Sequence, residues 1–276
     1  MKLTFAAALL LVATAAAAHP GSAIAVSKAG TVYFVDTGAG VFAIEAAGRI
    51  ERREGPAFHW FAFDPESRFR NTPWPSIPGA EFRSAGNVVL SSDYPVTIGR
   101  DGRFYYADGR GHIVAIEPSG ARSVFATLPP ARNVNGLAPA PDGSLLYTED
   151  RAIRKIDARG RVSTIVANMA VPNCAKIPSD EPQNGAYLRG LAVADDGTIY
   201  VAAAGCGALM RVDAAGRAGA LLRTAPPWSP TAVAVNGRDV YVLEYLHTAS
   251  DNRREWIPRI RKIGGDGKVS VLGYKR

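Results

Sequence analysis

The chain contains four histidines, and most of them fall beside strand-like segments that also carry carboxylates. Imidazole and carboxylate groups bind zinc and other divalent ions, so their convergence would create a metal site. The residues in question are His19, His59, His112 and His247, with Asp36, Asp150 and Glu244. No spacing among them forms a local ligand motif, and histidines scattered over separate loops are the alternative. The pattern therefore leaves zinc or another divalent ion as a candidate cofactor and does not select one.

A second group combines polar and aromatic side chains at the starts of apolar segments. Arg189 precedes the run Gly-Leu-Ala-Val, and Asn135 precedes Gly-Leu-Ala-Pro. A guanidinium group can hold a carboxylate or phosphate through two hydrogen bonds, although a salt bridge to a neighbouring acid is equally compatible with Arg189. The predicted ligand-binding residues are Asn135, Arg189, Glu244, His59, Trp60, Tyr94 and His247.

The sequence contains repeats of about 43 residues, and the fold that they form must position these side chains. Five similar segments begin at Ala23, Val96, Leu137, Leu191 and Ala232, and a weaker sixth begins at Phe61. Asp-Gly pairs between the first two strand-like segments of a repeat fit hairpin turns. The alternating β-branched and aromatic residues fit half-buried strands. The sequence predicts an all-β fold, a six-bladed β-propeller with four-stranded blades that spans residues 19–276 as one domain. A β-sandwich is the alternative, but it does not predict glycines in phase across the repeats.

Loops alternate between the two faces of such a ring. The first and third turns of each blade are short and share one face, which we call the trimmed face. The second turns and the crossings between blades share the other, the decorated face, where by this count the insertions 71–80, 168–188 and 246–257 lie. Binding residues tend to sit on loops held by a rigid scaffold, so the decorated face is the predicted binding face.

Residues 1–18 are predicted to form a cleaved signal peptide. Lys2 precedes an apolar run over 5–16 and an alanine-rich cleavage pattern, and the run is too short to span a membrane. The expected location is periplasmic or secreted, an oxidising environment. Cys174 in the crossing into the fifth blade and Cys206 in that blade's second turn are therefore predicted to form a disulfide. Two free thiols too far apart to meet are the alternative.

The composition restricts the partners. A formal net charge of +7 favours anionic neighbours but does not indicate a fold. A basic C-terminal stretch over 246–276 is either a patch for glycans, lipid headgroups or a protein, or the solvated face of outer strands. We expect no nucleic-acid partner for an exported chain, no membrane span and a monomer.

Two segments resemble known propeller families. The segment 190–216, GLAVADDGTIYVAAAGCGALMRVDAAG, resembles NHL-type six-bladed propellers. The segment 135–147, NGLAPAPDGSLLY, resembles the gluconolactonase and senescence-marker-protein family and its strictosidine-synthase-like relatives. The second resemblance implies a calcium or zinc ion held by an acidic residue in the first blade, an Asn before Gly-Leu and an Asp opening a later blade. Asn135 matches, whereas Pro20-Gly21-Ser22 and Arg189 occupy the other two positions.

These observations lead to two functional hypotheses. The first is an exported NHL-type propeller that binds a small molecule, or a protein or glycan partner, on its decorated face. The second is a metal-dependent hydrolase of lactones or esters of the gluconolactonase type, with a degenerate ligand set. The chain lacks the G-x-S-x-G, H-E-x-x-H and P-loop motifs, so no serine-nucleophile motif is present and whether it is an enzyme stays open.

Overall fold

A computed structural model describes residues 21–273 except 38, 56–58, 79–80, 130–132, 175–184 and 247–254. The predicted signal peptide lies outside the described residues. Blade 1 contains β1 (Ile24–Val26), β2 (Val32–Asp36), β3 (Gly40–Ile44) and β4 (Ile50–Glu54). Blade 2 contains β5 (Trp60–Phe63), β6 (Phe82–Ala85) and β7 (Val88–Ser91). Blade 3 contains β8 (Val96–Ile98), β9 (Phe104–Ala107), β10 (His112–Ile116) and β11 (Arg122–Thr127). Blade 4 contains β12 (Gly136–Pro139), β13 (Leu145–Thr148), β14 (Ile153–Ile156) and β15 (Val162–Val166). Blade 5 contains β16 (Leu188–Val193), β17 (Ile199–Ala203), β18 (Ala208–Val212) and β19 (Ala218–Arg223). Blade 6 contains β20 (Trp228–Asn236), β21 (Asp239–Leu246), β22 (Pro258–Ile263) and β23 (Val269–Leu272).

Six sheets surround a central axis, so the predicted six-bladed propeller is confirmed. In five of them, four antiparallel strands follow one another in chain order. The innermost strands β1, β5, β8, β12, β16 and β20 each contact the next, and β20 contacts β1, which closes the ring. One 3₁₀ turn, Ala204–Cys206, forms part of the second turn of blade 5. No helix among the described residues is long and apolar enough to cross a membrane.

The first turns of the blades have the conformation that their Asp-Gly pairs predict. Gly102, Gly143 and Gly197 adopt φ values of +83°, +81° and +82°, a region that glycine enters without steric cost. The preceding aspartates accept backbone hydrogen bonds from the residue after the glycine, as Asp101 does from Arg103 N at 3.1 Å. Because these turns are short and locally determined, few residues project from the trimmed face at these positions.

Glycines allow the innermost strands to approach one another at their decorated ends. A Cβ on Gly190 would lie 2.8 Å from Ala232 Cα, and one on Gly136 would lie 2.6 Å from the carbonyl oxygen of Arg189. Real Cβ atoms do not come this close to backbone, so any larger residue would push the blades apart. The backbone of blades 4, 5 and 6 is therefore packed tightly around the axis.

Blade 2 departs from the predicted strand order. Its sheet has three strands in the order β5-β7-β6, and residues 64–81 connect β5 to β6. Thr72 Oγ1 donates a hydrogen bond of 3.0 Å to Pro118 O, at the third turn of blade 3. The expectation that insertion 71–80 extends a second turn on the decorated face was therefore wrong. The insertion follows the first strand and starts at the trimmed face. The whole connection 64–81 packs the buried Phe69 and the partly buried Trp74 against the blade.

Side chains close the seam between blades 6 and 1. The Tyr245 hydroxyl donates to Val35 O at 2.5 Å and lies 3.3 Å from Thr37 N, which donates to it. On the trimmed side, Asn236 Nδ2 donates to Ser27 O at 3.2 Å. Within the described part of the chain, no strand of one blade joins the sheet of the other.

The predicted disulfide between Cys174 and Cys206 is confirmed, with the two Cα atoms 4.6 Å apart. It attaches the crossing into blade 5 to the second turn of that blade. Backbone hydrogen bonds support the same contact, from Ala204 N to Tyr187 O and from Gly205 N to Ala186 O, both at 3.1 Å. Crossings and second turns therefore do share a face.

Candidate functional site

A pocket of about 350 Å³ opens on the decorated face above blade 3. The second turn of blade 3 and the crossings from blades 2, 3 and 4 to the next blade surround it. Four predicted residues line it together: Trp60, Tyr94, Asn135 and Arg189. The other polar or aromatic lining residues are Asp93, His112, Asn133 and Tyr187.

Asn135 and Arg189 are held at the starts of two neighbouring innermost strands. Asn135 N donates to Thr148 O at 2.9 Å, and Asn135 Nδ2 donates to Leu188 O at 3.0 Å. The Thr148 hydroxyl in turn donates to Arg189 O at 2.7 Å. These bonds join blade 4 to blade 5, so the ring itself fixes the distance between the two pocket residues.

Arg189 brings positive charge to the deep wall of the pocket. Arg189 is only 4% exposed, and Asp36 on the first blade is fully buried. Both charges act on the Tyr245 hydroxyl at the seam. Burial raises the pKa of Tyr245, Asp36 raises it further, and Arg189 partly opposes the rise. The axis end of the decorated face thus combines a buried cation with a buried anion.

Aromatic rings form another part of the wall. Ser91 Oγ donates to Tyr94 O at 2.9 Å and accepts from Tyr94 N at 3.2 Å, which fixes the backbone of Tyr94. Its ring lies so near the second turn of blade 3 that a Cβ on Gly109 would be 3.2 Å from Tyr94 Cε1. Tyr187 has a φ of +40°, which is unusual for an aromatic residue. Strained backbone of this kind clusters at functional sites.

His112 and Asp108 form a hydrogen-bonded pair at the second turn of blade 3. The ring Nδ1 lies 2.8 Å from Asp108 Oδ2, while Asp108 Oδ1 accepts from Arg110 N at 2.8 Å and His112 N at 2.9 Å. Burial works to raise the pKa of Asp108, but the hydrogen bonds from His112 and Arg110 outweigh it and lower the pKa. An ionised carboxylate only accepts, so Nδ1 carries the proton of a neutral ring and Nε2 keeps its lone pair.

Sequence reasoning did not select this pair. It grouped His112 with the scattered histidines and placed Asp108 only near the end of a second strand, without a role in a site. The signal was present in the sequence, because Asp108-Gly109-Arg110-Gly111-His112 has the same spacing as the turn that starts at Asp157.

The remaining predicted residues lie elsewhere. Glu244 does not line the pocket; its buried carboxylate accepts hydrogen bonds from Thr224 Oγ1 at 2.8 Å, Arg259 Nε at 2.6 Å and Arg261. The carbonyl oxygen of His59 accepts from Ser22 N at 3.0 Å and joins blades 1 and 2. His247 lies outside the described residues, as does His19.

The residues present do not fit the divalent-metal site that the gluconolactonase resemblance implies. Among the residues that the structure describes, no group of three His, Cys, Asp or Glu side chains could hold a metal ion. Of the three family positions, the first holds glycine and serine, and Arg189 supplies a cation where the family has an acid. The Asn135 amide is already oriented by its hydrogen bond to Leu188.

A second cavity of about 550 Å³ runs along the axis between the innermost strands of all six blades. Its walls combine polar and apolar surface in about equal parts, with Lys28, Glu66, Arg68 and Arg100 among the lining residues. Trp60 lines both cavities, so the decorated-face pocket and the axial channel meet at this residue.

Comparison with known proteins supports the fold alone. No protein-family model and no curated protein matches the chain. Among solved structures, virginiamycin B lyase from Staphylococcus aureus is 14% identical, with a TM-score of 0.54 over 90% of this chain and 82% of that one. Regucalcin, a calcium-binding protein from Agrobacterium tumefaciens, is 16% identical, with a TM-score of 0.52 over 81% of each chain. An oxidoreductase named as a glucose dehydrogenase, from Thermus thermophilus, is 15% identical, with a TM-score of 0.52 over 87% of this chain and 96% of that one.

The shared feature is the six-bladed propeller. At these identities the likeness carries no substrate, metal or reaction across to this chain, because one fold hosts many activities.

Proposed function

We propose that residues 19–276 form an exported propeller that binds a small molecule in the decorated-face pocket. The ligand would carry a carboxylate or phosphate group and a flat ring. The observation that carries this proposal is the convergence of Arg189, Asn135, Tyr94 and Trp60, from separate crossings and strands, on one pocket of about 350 Å³.

Each wall of the pocket supports one part of this ligand. The guanidinium of Arg189 favours an anionic group, the aromatic rings favour a flat apolar face, and the amide of Asn135 adds a directional polar contact. Small-molecule sites are typically concave cavities of roughly 300–1,000 Å³ with a few convergent polar groups, and the size and the polar lining of this pocket agree with that description. A protein or glycan partner would instead need a broader surface than this recess offers.

Export is supported by two independent features. The sequence of residues 1–18 has the layout of a signal peptide. The Cys174–Cys206 disulfide is typical of proteins in an oxidising compartment.

Binding can be tested with the mature chain purified from a bacterial periplasm. Benzoate and phenyl phosphate are suitable probes, since each combines an aromatic ring with an anion, and benzyl alcohol is the neutral control. Isothermal titration should show binding of the anionic probes and a loss of at least tenfold in affinity for Asn135→Ala and Arg189→Ala.

Asn236→Ala is the matched control, because Asn236 also bonds its side-chain amide to a backbone carbonyl of the next blade, but on the trimmed side. This variant should bind as the wild type does. Unchanged affinity in Asn135→Ala and Arg189→Ala, or equal losses in all three variants, would contradict the proposed site. Metal analysis of the same material tests the hydrolase hypothesis: one tightly bound divalent ion per chain would favour it.

A further inference from the structure

Two turns on the trimmed face share one construction, in which an aspartate holds both the backbone and a side chain that follow it. At Asp157, Oδ1 accepts from Arg159 N and Arg161 N at 2.9 and 3.0 Å, while Oδ2 accepts from Arg161 Nε at 2.7 Å. At Asp213, the same two oxygens accept from the backbone two and four residues later and from Arg217 Nε, again at 2.7 Å. The side chain that each turn captures is an arginine.

The turn that begins at Asp108 has the same construction on the decorated face, but it captures a histidine. Asp108 Oδ1 accepts from Arg110 N and His112 N at 2.8 and 2.9 Å, and Oδ2 lies 2.8 Å from His112 Nδ1. In all three turns a glycine precedes the captured residue, with φ between +76° and +94°. Because the turn closes in the same way around arginine, its frame does not require histidine.

The captured histidine borders the decorated-face pocket. The His112 side chain is 37% exposed and lines the pocket, whereas the Asp108 side chain is 17% exposed. Because Nδ1 is directed at Asp108, Nε2 lies on the opposite edge of the ring. Arginine in such a turn is a permanent cation, whereas imidazole gains and loses a proton near neutral pH. The exchange therefore gives this wall of the pocket a charge that changes with pH.

The groups around His112 differ from it in the pH at which they titrate. Among the described residues of the pocket and its turn, with one on the adjoining strand β9, the charged or titratable neighbours are Asp93, Tyr94, Tyr106, Asp108, Arg110, Tyr187 and Arg189. Carboxylic acids ordinarily titrate near pH 4 and tyrosine near pH 10, while arginine keeps its proton. Of these side-chain types, imidazole is the one that titrates between about pH 5 and 8.

We propose that His112 is a proton-linked contact for the anion of the ligand. Its protonated ring donates a hydrogen bond from Nε2 to the carboxylate or phosphate, and each bound anion draws a proton from the solvent onto this nitrogen. This inference rests on the proposed ligand pocket and adds regulation by pH to it. Asp108 is the positioning residue, because it fixes which edge of the ring is available and stabilises the imidazolium.

The sign of the pH dependence follows from the charges. An anion beside the ring favours its protonated form, so the ligand and the proton each strengthen the binding of the other. Affinity is therefore highest at acidic pH and falls as the pH rises through neutrality. An exported chain meets the pH of its surroundings, so the pocket would fill in an acidic medium and empty in a neutral one.

Isothermal titration of the mature chain with benzoate, over about pH 5.5 to 8, tests this link. A carboxyl group stays ionised over that range, whereas a phosphate monoester titrates near pH 6, so benzoate is the cleaner probe. A hydrogen bond to a charged group changes affinity by about tenfold or more, so the wild-type dissociation constant should rise at least tenfold from the acidic to the alkaline end. The measured heat should also differ between phosphate and Tris buffers at the same pH, because binding takes a proton from the buffer.

Two substitutions at His112 separate charge from shape. His112→Gln should bind benzoate weakly at every pH, because glutamine keeps an N–H donor but gains no charge. His112→Arg copies the turns at Asp157 and Asp213, so it should fold and bind benzoate with an affinity that does not change between the two ends of the range. Melting temperatures of all variants verify folding.

Asp108→Asn tests the positioning residue. It should move the midpoint of the affinity curve to lower pH, because the imidazolium loses its anionic partner. A merely structural role for Asp108 would weaken binding equally at every pH and leave the midpoint in place. Asp157→Asn is the matched control in the equivalent turn on the trimmed face, and it should keep the wild-type curve.

Asp93→Asn separates the histidine from the carboxylate that lines the same pocket. It should strengthen benzoate binding by removing a like charge, and the pH dependence should remain. A flat curve in the wild type or in Asp93→Asn, or an unchanged curve in His112→Gln, would overturn the role of His112 and leave the ligand pocket standing. If the wild type binds no benzoate at any pH, both proposals are wrong.

Discussion

Replacing Glu244 with alanine should destabilise the protein without altering the decorated-face pocket. The Glu244 side chain is 1% exposed, and its two oxygens accept hydrogen bonds from Arg259, Arg261 and Thr224. Alanine would remove the anion and leave two guanidinium groups and a hydroxyl without it. Arg259 would keep its position over the Trp228 ring, 4.0 Å from the ring centroid, and would therefore remain partly desolvated.

The expected loss follows from the burial of the three partners. Removing one member of a buried ion pair typically costs about 3–5 kcal/mol. Here the side chains of Arg259 and Arg261 are 24% and 13% exposed, so water can recover part of that cost. We expect a decrease of about 3 kcal/mol in the free energy of unfolding. For a domain of this length, that corresponds to a fall of roughly 6–12 °C in melting temperature.

Urea denaturation followed by tryptophan fluorescence measures this change. Glu51→Ala is the control, since Glu51 pairs with Arg49 and Arg53 at 2.8 and 3.0 Å on the exposed side of blade 1. Exposed pairs contribute less than about 1 kcal/mol. The reasoning fails if Glu244→Ala loses no more stability than Glu51→Ala. Weaker benzoate binding at unchanged stability would instead return Glu244 to the ligand site.

Three further outcomes are expected. Replacing both cysteines with alanine should lower the free energy of unfolding by roughly 3–4 kcal/mol for a separation of 32 residues, and a urea midpoint insensitive to reductant would contradict this. Gly190→Ala should cost about 1–3 kcal/mol by overpacking, whereas Gly219→Ala, whose Cβ meets nothing within 4 Å, should melt near the wild type. The hydrogen bond from Lys155 lowers the pKa of Asp142 to about 2. Its small stabilising effect, present above the ordinary pKa of about 3.8, should disappear as pH falls towards 2; an NMR titration midpoint near 3.8 would refute it.

The repeat was visible in the sequence because its determinants are local. Strand alternation and glycines with positive φ, such as Gly102 and Gly197, depend on a few neighbouring residues, and they determine five of the six blades. The pairing of β5 with β7 in blade 2 is not local. An insertion of given length between two apolar runs does not reveal which strands it separates, so only the structure shows that 64–81 lies between the first two strands in sequence.

The site was predictable where position in the repeat determines it. Asn135 and Arg189 begin innermost strands, so the repeat alone places them at the decorated rim. Glu244 also occupies a rim position in the repeat. The register opposes it to Arg259 across β21 and β22, however, and that cross-strand pairing determines what its carboxylate binds. The Asp108–His112 pair required a comparison of turns on opposite faces, which the alignment of strands does not prompt.

The seam between blades 6 and 1 has a consequence for how such a chain can change over evolution. Each sheet draws all of its described strands from one continuous stretch of sequence, so a gene segment that encodes one blade encodes a complete sheet. Duplication or loss of that segment would add or remove a whole sheet and leave every neighbouring ladder intact. In a ring closed by a strand shared between the chain ends, the blade that spans the closure is encoded by two separate segments and cannot be copied as one. Here each of the six blades, including the two at the seam, is available as a single unit of genetic exchange.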